Sequence, residues 1–227
     1  MKNEPVQFVV EPLGEDCAII SLGKVISEDV NRRAVSIAEA VSDAGFEGFV
    51  EASPAYSSVA VFFDPGKARS ETGTPFENVK TELERIAGAA GPSTGREKRA
   101  HTVPARFGGE DGPDLEEIAE RRGLDPEDVV EIFLSRDYRV FMLGFLPGFP
   151  YLGTLDERIA TSRRESPRTR VPAGSIGIAG SQTGIYPFDS PGGWQLIGRT
   201  EVTVFDPGSD DPAMFRPGDS IRFVESS

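Results

Sequence analysis

The sequence predicts a small α+β unit followed by a mainly β barrel, and three observations carry that prediction. Through the first 90 or so residues, short apolar runs alternate with two capped, amphipathic helical segments. A polar stretch with glycine and proline but no apolar period, 91–101, then interrupts the pattern. From Arg139 to Thr200 the apolar runs are short, and each is broken by glycine or proline, as in a compact barrel with functional loops. The expected organisation is an α+β domain over 1–90, a linker over 91–101 and a barrel over 102–227.

Each element has a local reason. Gln7–Val10 and Cys17–Leu22 read as strands around an Asp/Gly turn. Ser27 is placed to cap a helix whose Val30, Ala34, Ile37, Ala38 and Val41 recur at helical spacing, and Gly45 stops it. Phe49–Ala52 and Ser58–Phe63 give two further strands. Thr74-Pro75 opens a second helix carrying Val79, Leu83, Ile86 and Ala87. His101 falls at the end of the linker, beside a strand over Thr102–Phe107, and reads as a solvated imidazole. Leu115, Ile118 and Ala119 mark a helix ended by Gly123, and Asp125 caps another with Val129, Val130 and Ile132 on one side. Val202–Phe205 and Ser220–Val224 are expected to supply closing strands.

Composition narrows the chemistry. A net charge of −13 leaves no basic surface for nucleic acid, and no apolar run approaches the length of a membrane span. One cysteine, Cys17, excludes an internal disulfide and a multi-cysteine metal site; one histidine, His101, excludes a multi-histidine site, so no metal is expected. With no signal peptide after Met1-Lys2-Asn3-Glu4, a cytoplasmic location is expected. The five lysines end at Lys98, so the barrel has neither a Schiff-base nor a P-loop lysine. Against this acidity, Arg139 to Arg199 holds seven arginines and four acids, a local charge of +3 that suits an anionic ligand or an acidic partner surface.

Three segments carry candidate binding chemistry. In Gly144–Gly153, two prolines and three glycines fix a backbone that presents Phe149 and Tyr151, as pocket-lining loops do. In Pro167–Pro172, Arg168 and Arg170 stand two apart, so on an extended chain they face the same way and could grip a carboxylate or phosphate. In Ala173–Pro187, four glycines with Ser181, Gln182, Thr183 and Tyr186 could cradle an oxyanion, centred on Gly180–Gly184. Ser190, Gly192, Gly193 and Trp194 add a glycine hinge bearing the only tryptophan.

These runs, Gly-Phe-Leu-Pro-Gly-Phe-Pro-Tyr-Leu-Gly, Pro-Arg-Thr-Arg-Val-Pro-Ala-Gly-Ser, Ala-Gly-Ser-Gln-Thr-Gly-Ile-Tyr-Pro and Ser-Pro-Gly-Gly-Trp-Gln-Leu-Ile-Gly-Arg-Thr, resemble the allophanate hydrolase subunit 1 family. A looser likeness extends through Gly108-Gly109 and Gly112-Pro113-Asp114-Leu115 into the N-terminal unit. The resemblance implies a ferredoxin-like N-terminal domain and a cyclophilin-like barrel. It also implies the role of a B subunit that joins homologous C and further A subunits in an ATP-dependent 5-oxoprolinase, which opens 5-oxo-L-proline to L-glutamate. Within that reading Arg168, Arg170 and Tyr186 are the expected catalytic residues. Phe149, Tyr151, Gly180, Ser181, Gln182, Thr183, Gly184, Ser190, Gly192, Gly193 and Trp194 are expected to bind substrate. The family also contains a branch resembling inhibitors of sporulation histidine kinases and relatives in allophanate and urea metabolism, so a kinase regulator and a carboxyltransferase-related protein stand as alternatives. Where family members often carry a histidine before the Tyr-Arg-Val strand, this chain has Phe133-Leu134-Ser135. Without a nearby base, the isolated chain is expected to be inactive.

Overall fold

A computed structural model describes residues 8–69, 73–91 and 99–226. The chain divides into two compact units between Glu97 and Lys98.

In the first unit the elements run β1 (Val9–Pro12), β2 (Cys17–Ser21), α1 (Glu28–Ala44), β3 (Phe49–Pro54), β4 (Ser58–Phe63) and α2 (Pro75–Ala89). The strands form one antiparallel sheet in the order β1-β2-β4-β3. Alternation puts Ala18 and Ile20 of β2, and Val59, Val61 and Phe63 of β4, on the face that both helices cover. The helices answer with Ala34, Ile37, Ala38 and Val41 from α1, and Val79, Leu83 and Ile86 from α2. Ser27 caps α1 by accepting the Val30 N–H, and Thr74 and Glu77 close a reciprocal capping box on α2. No glycine ends α2. Instead the Arg33 guanidinium donates to the Ala87 and Ala90 carbonyls, and Ser36 Oγ donates to Gly91 O at 2.6 Å, which satisfies helix-end acceptors.

The second unit comprises β5 (Ala100–Phe107), α3 (Leu115–Arg122), α4 (Pro126–Leu134), β6 (Tyr138–Leu143), β7 (Pro150–Gly153), β8 (Arg168–Val171), β9 (Ser175–Ala179), β10 (Gln182–Ile185), β11 (Ser190–Gly192), β12 (Gln195–Arg199) and β13 (Ser220–Glu225). Seven strands close a barrel in the order β10-β7-β6-β13-β5-β12-β9. The closing pair, β5 with β13, is parallel, while β8 and β11 form a separate two-stranded ribbon. Large aliphatic side chains (Leu152, Ile176, Ile178, Ile185 and Ile197) share one core with α3 and α4. Their sequence neighbours Tyr151, Ala179 and Leu196 belong to a second cluster with Val171 of the ribbon. The Ile-Gly-Ile-Ala run of β9 thereby sends isoleucines one way and small residues the other.

Three expectations are corrected. Strand β5 begins at Ala100, two residues earlier than expected, because it pairs with β13 from Ser220↔Ala100 onward. His101 therefore lies inside a strand. Its side chain is only 13% exposed, its Nε2 lies 3.1 Å from Asp219 Oδ2, and its ring meets Phe215 edge-on. The linker residues 92–98 fall outside the described residues. Finally, Val202–Phe205 forms no strand: only an isolated bridge joins Phe205 to Ala213. No helix among the described residues is long and apolar enough to cross a membrane.

Candidate functional site

The four motif segments converge on one flank of the barrel. Phe149, Tyr186 and Trp194 are buried there, with Tyr151 partly so. The Phe149 ring meets Tyr151, Tyr186 and Trp194 at centroid separations of 5.0, 5.2 and 5.4 Å, all edge-to-face. Two glycines of the motifs exist to admit these rings. A Cβ on Gly184 would come within 2.7 Å of Phe149 Cζ, and one on Gly192 within 2.4 Å of Tyr186 Oη. The aromatic loop thus fills its own pocket: Phe149 and Trp194, expected to present rings to a ligand, are core residues.

Burial pushes the phenols of Tyr186 and Tyr151 above their ordinary value. Both stay protonated at neutral pH, which suits hydrogen bonding and not general-base work. The Trp194 backbone N–H lies on the Tyr186 hydroxyl, so Tyr186 already has a structural partner.

Arg168 and Arg170 do not act as a pair. Arg168 donates to Asp114 Oδ1 at 2.7 Å, and Arg164 donates to the same oxygen at 2.9 Å. The other carboxylate oxygen of Asp114 accepts the Leu196 N–H at 2.6 Å. Asp114, with a side chain 3% exposed, is thus a hub joining the start of α3, strand β12 and the segment leading into β8. Arg170 instead points outward, 77% exposed, and meets Asp189, whose other oxygen accepts the Ala173 N–H. The Ala173 N–H first, and Arg170 second, hold the Asp189 carboxyl below its ordinary value.

The expected oxyanion cradle is a β-hairpin. Gln182 pairs with Ala179, so Gly180-Ser181 is a two-residue turn between β9 and β10. The Gly180 N–H donates to Thr161 O at 2.6 Å, and the buried Thr183 hydroxyl donates to Gly177 O at 3.0 Å. Gly180, Ser181 and, in part, Gln182 reach the surface, while Thr183 and Gly184 are buried. Ser190 is buried, with no hydrogen-bond partner for its hydroxyl among the described residues. Gln195 Oε1, Arg168 Nη1 and Arg164 Nε share that condition. Gly193 faces Pro167, and its carbonyl accepts the Arg164 N–H.

Sequence reasoning missed Asp114, Arg164 and Gln195. Asp114 was legible only as a helix start, and it is the residue before α3, yet its carboxylate makes no capping bond. A cleft of about 640 Å³ lies elsewhere in this unit, lined by Phe107, Gly108, Leu115, Val130 and Leu134 with several glutamates, and contains none of the expected site residues.

Comparison with known proteins agrees with the family drawn from the motifs. Residues 8–215 match the model of the carboxyltransferase domain, subdomain C and D. The chain is 42% identical over 226 residues to the B subunit of 5-oxoprolinase from Bacillus subtilis (strain 168), covering 98% of this chain and 94% of that one. It is 39% identical over 213 residues to the 5-oxoprolinase B subunit of Escherichia coli O157:H7, covering 93% of each. Among solved structures, TTHA0988 superposes with a TM-score of 0.79 at 38% identity; the match covers 93% of this chain and 40% of that longer one.

Proposed function

The chain belongs to the family of the carboxyltransferase domain, subdomain C and D, and from that premise we propose that it is the B subunit of an ATP-dependent 5-oxoprolinase, inactive on its own. The observation that carries this reading is the 42% identity with a 5-oxoprolinase B subunit over nearly the full length of both chains. The complex would hydrolyse the lactam of 5-oxo-L-proline to L-glutamate, with the C and A subunits supplying the remaining surfaces, in the cytoplasm. The small unit would be a variant of the ferredoxin-like layer arrangement and the barrel cyclophilin-like.

The geometry supports a subunit role over a self-sufficient site. Arg168 and Arg170 are each engaged by a carboxylate of this chain, and the Gly180 N–H is taken by Thr161 O. These residues do not fit a nucleotide phosphate as folded, so we assign ATP to another subunit. ATP would supply a phosphoryl group that turns the inert lactam oxygen into a leaving group. Of the candidate residues, Arg170, Gly180 and Ser181 are exposed and Tyr151, Gln182 and Gly193 partly so, and these are the ones proposed to meet substrate; Arg168, also partly exposed, is held by Asp114. Phe149, Arg168, Thr183, Gly184, Tyr186, Gly192 and Trp194 build the platform beneath.

The test is ATP-dependent glutamate release from 5-oxo-L-proline, with this chain alone and with its A and C partners. Turnover only in the complete mixture is the expected result. A complete, assembled mixture that stays silent would overturn the assignment.

A further inference from the structure

The loop between β6 and β7 carries an anomaly that the platform does not explain. Leu146 N–H donates to Gly144 O at 2.8 Å, closing a three-residue turn around Phe145, whose φ is +68°. A γ-turn of positive φ is rare and strained, and a bulky residue at its centre more so. Its successor, Leu146-Pro147-Gly148-Phe149, is a hydrogen-bonded β-turn with Gly148 at φ +76°, so the tip is rigid. The strain holds Phe145 out in solvent, 63% exposed, with its ring edge-on to Phe149 at 5.6 Å. In the free chain neither the strain nor the exposed ring gains anything, and such outliers persist where function uses them.

The surroundings specify what the ring meets. Gly148 abuts Phe205, which stands 5.7 Å from Phe188, and both phenylalanines are partly exposed. Beyond Phe149, the Trp194 ring carries the Arg163 guanidinium at 5.9 Å; Arg163 is exposed and has no carboxylate partner among the described residues. An apolar anchor and an unneutralised cation joined through one aromatic cluster, in the +3 stretch of a −13 chain, are complementary to an apolar pocket with an acidic rim. In TTHA0988 a chain of this kind makes up 40% of a longer polypeptide, as expected of a unit that works against further protein.

We propose that Phe145 is the anchor by which this subunit docks into an apolar, acid-rimmed pocket of a partner subunit, with Arg163 contributing attraction at the rim. The proposal rests on the subunit reading above and names its contact. Phe145→Ala weakens binding of the purified C subunit, or of C with A, by about thirty-fold, the size of an interface hot spot. Phe145→Gly weakens it equally, yet raises the melting temperature of the free chain by about 3 °C, because glycine relieves the strained φ. Arg163→Glu slows association at low salt, and the effect disappears near 0.5 M salt. Titration calorimetry and thermal unfolding on the full chain read all three. Unchanged binding by Phe145→Ala, or normal assembly with an altered KM for 5-oxo-L-proline, overturns the anchor and leaves the subunit reading intact. Wild-type chain that binds neither partner overturns both.

Discussion

Arg168 and Arg170 stand two residues apart on β8, and each faces an aspartate, but the two ends of that strand live in different media. At the Arg168 end the carboxylate of Asp114 is almost sealed from water, serves two guanidiniums and takes a backbone N–H as well. At the Arg170 end both partners are largely solvated. Burial makes an ion pair costly to form and costlier to break one-sidedly, because the orphaned charges cannot recruit water. In water the same pair contributes little. The strand is therefore bolted at one end and free at the other.

The most severe way to break this contrast is Asp114→Ala. It strands Arg164, Arg168 and the Leu196 N–H together and is expected to destabilise the barrel by about 3–5 kcal/mol in urea titration. A loss under about 1 kcal/mol would mean that water reaches the hub. Next comes Gly192→Ala, whose methyl collides with the Tyr186 hydroxyl. About 1–3 kcal/mol should be lost. Adding Tyr186→Phe removes only the hydroxyl contact and should restore part of it, because Cε1 and Cζ stay at 2.8 Å; a Gly192→Ala loss under about 0.5 kcal/mol would mean that the ring moves aside. Arg170→Ala should leave the urea midpoint unmoved, so any fall in turnover of the assembled complex there reports contact with substrate.

The smallest effect is in acid. Asp156 is bound by Arg158 and then by Arg136, and Asp189 by the Ala173 N–H and Arg170; both carboxyls titrate below their ordinary value of 3.8. A depressed folded-state pKa stabilises the fold at every pH above the unfolded value. That contribution disappears as pH falls through the lower, folded one. Urea midpoints should hold from neutrality to about pH 4 and fall below it, and Asp156→Asn should flatten the decline. An identical slope in the variant would locate the acid sensitivity elsewhere.

How much of this was legible follows from the range of the interactions. The helices of the first unit were readable because period and caps lie within one stretch: Ser27, Thr74-Pro75 and the spaced aliphatics all do what their spacing says. The Ile-Gly-Ile alternation of β9 was present too, but its reason was not, because the side chains that crowd Gly177, those of Trp194 and Tyr186, come from later segments of the chain. Arg168 and Arg170 looked equivalent because their carboxylates lie 54 and 19 residues away in the chain. His101 was misread for the same cause: Asp219, which holds it, is 118 residues distant. The motifs named a region of the chain; which of its side chains pack inward and which face outward is set by contacts between its separate segments.

The parallel pairing of β5 with β13 has a consequence for biosynthesis. The barrel's opening strand waits, unpaired on that edge, until the segment around Ser220–Glu225 has been made. On the ribosome the first unit can complete its sheet and helices while the barrel is still an open array with one bare flank. Loop closure over more than a hundred residues therefore follows synthesis of every other strand of the barrel. During that interval β5 is the segment most in need of a chaperone, and a ribosome stalled before codon 220 would hold a finished N-terminal unit tethered to an unclosed barrel.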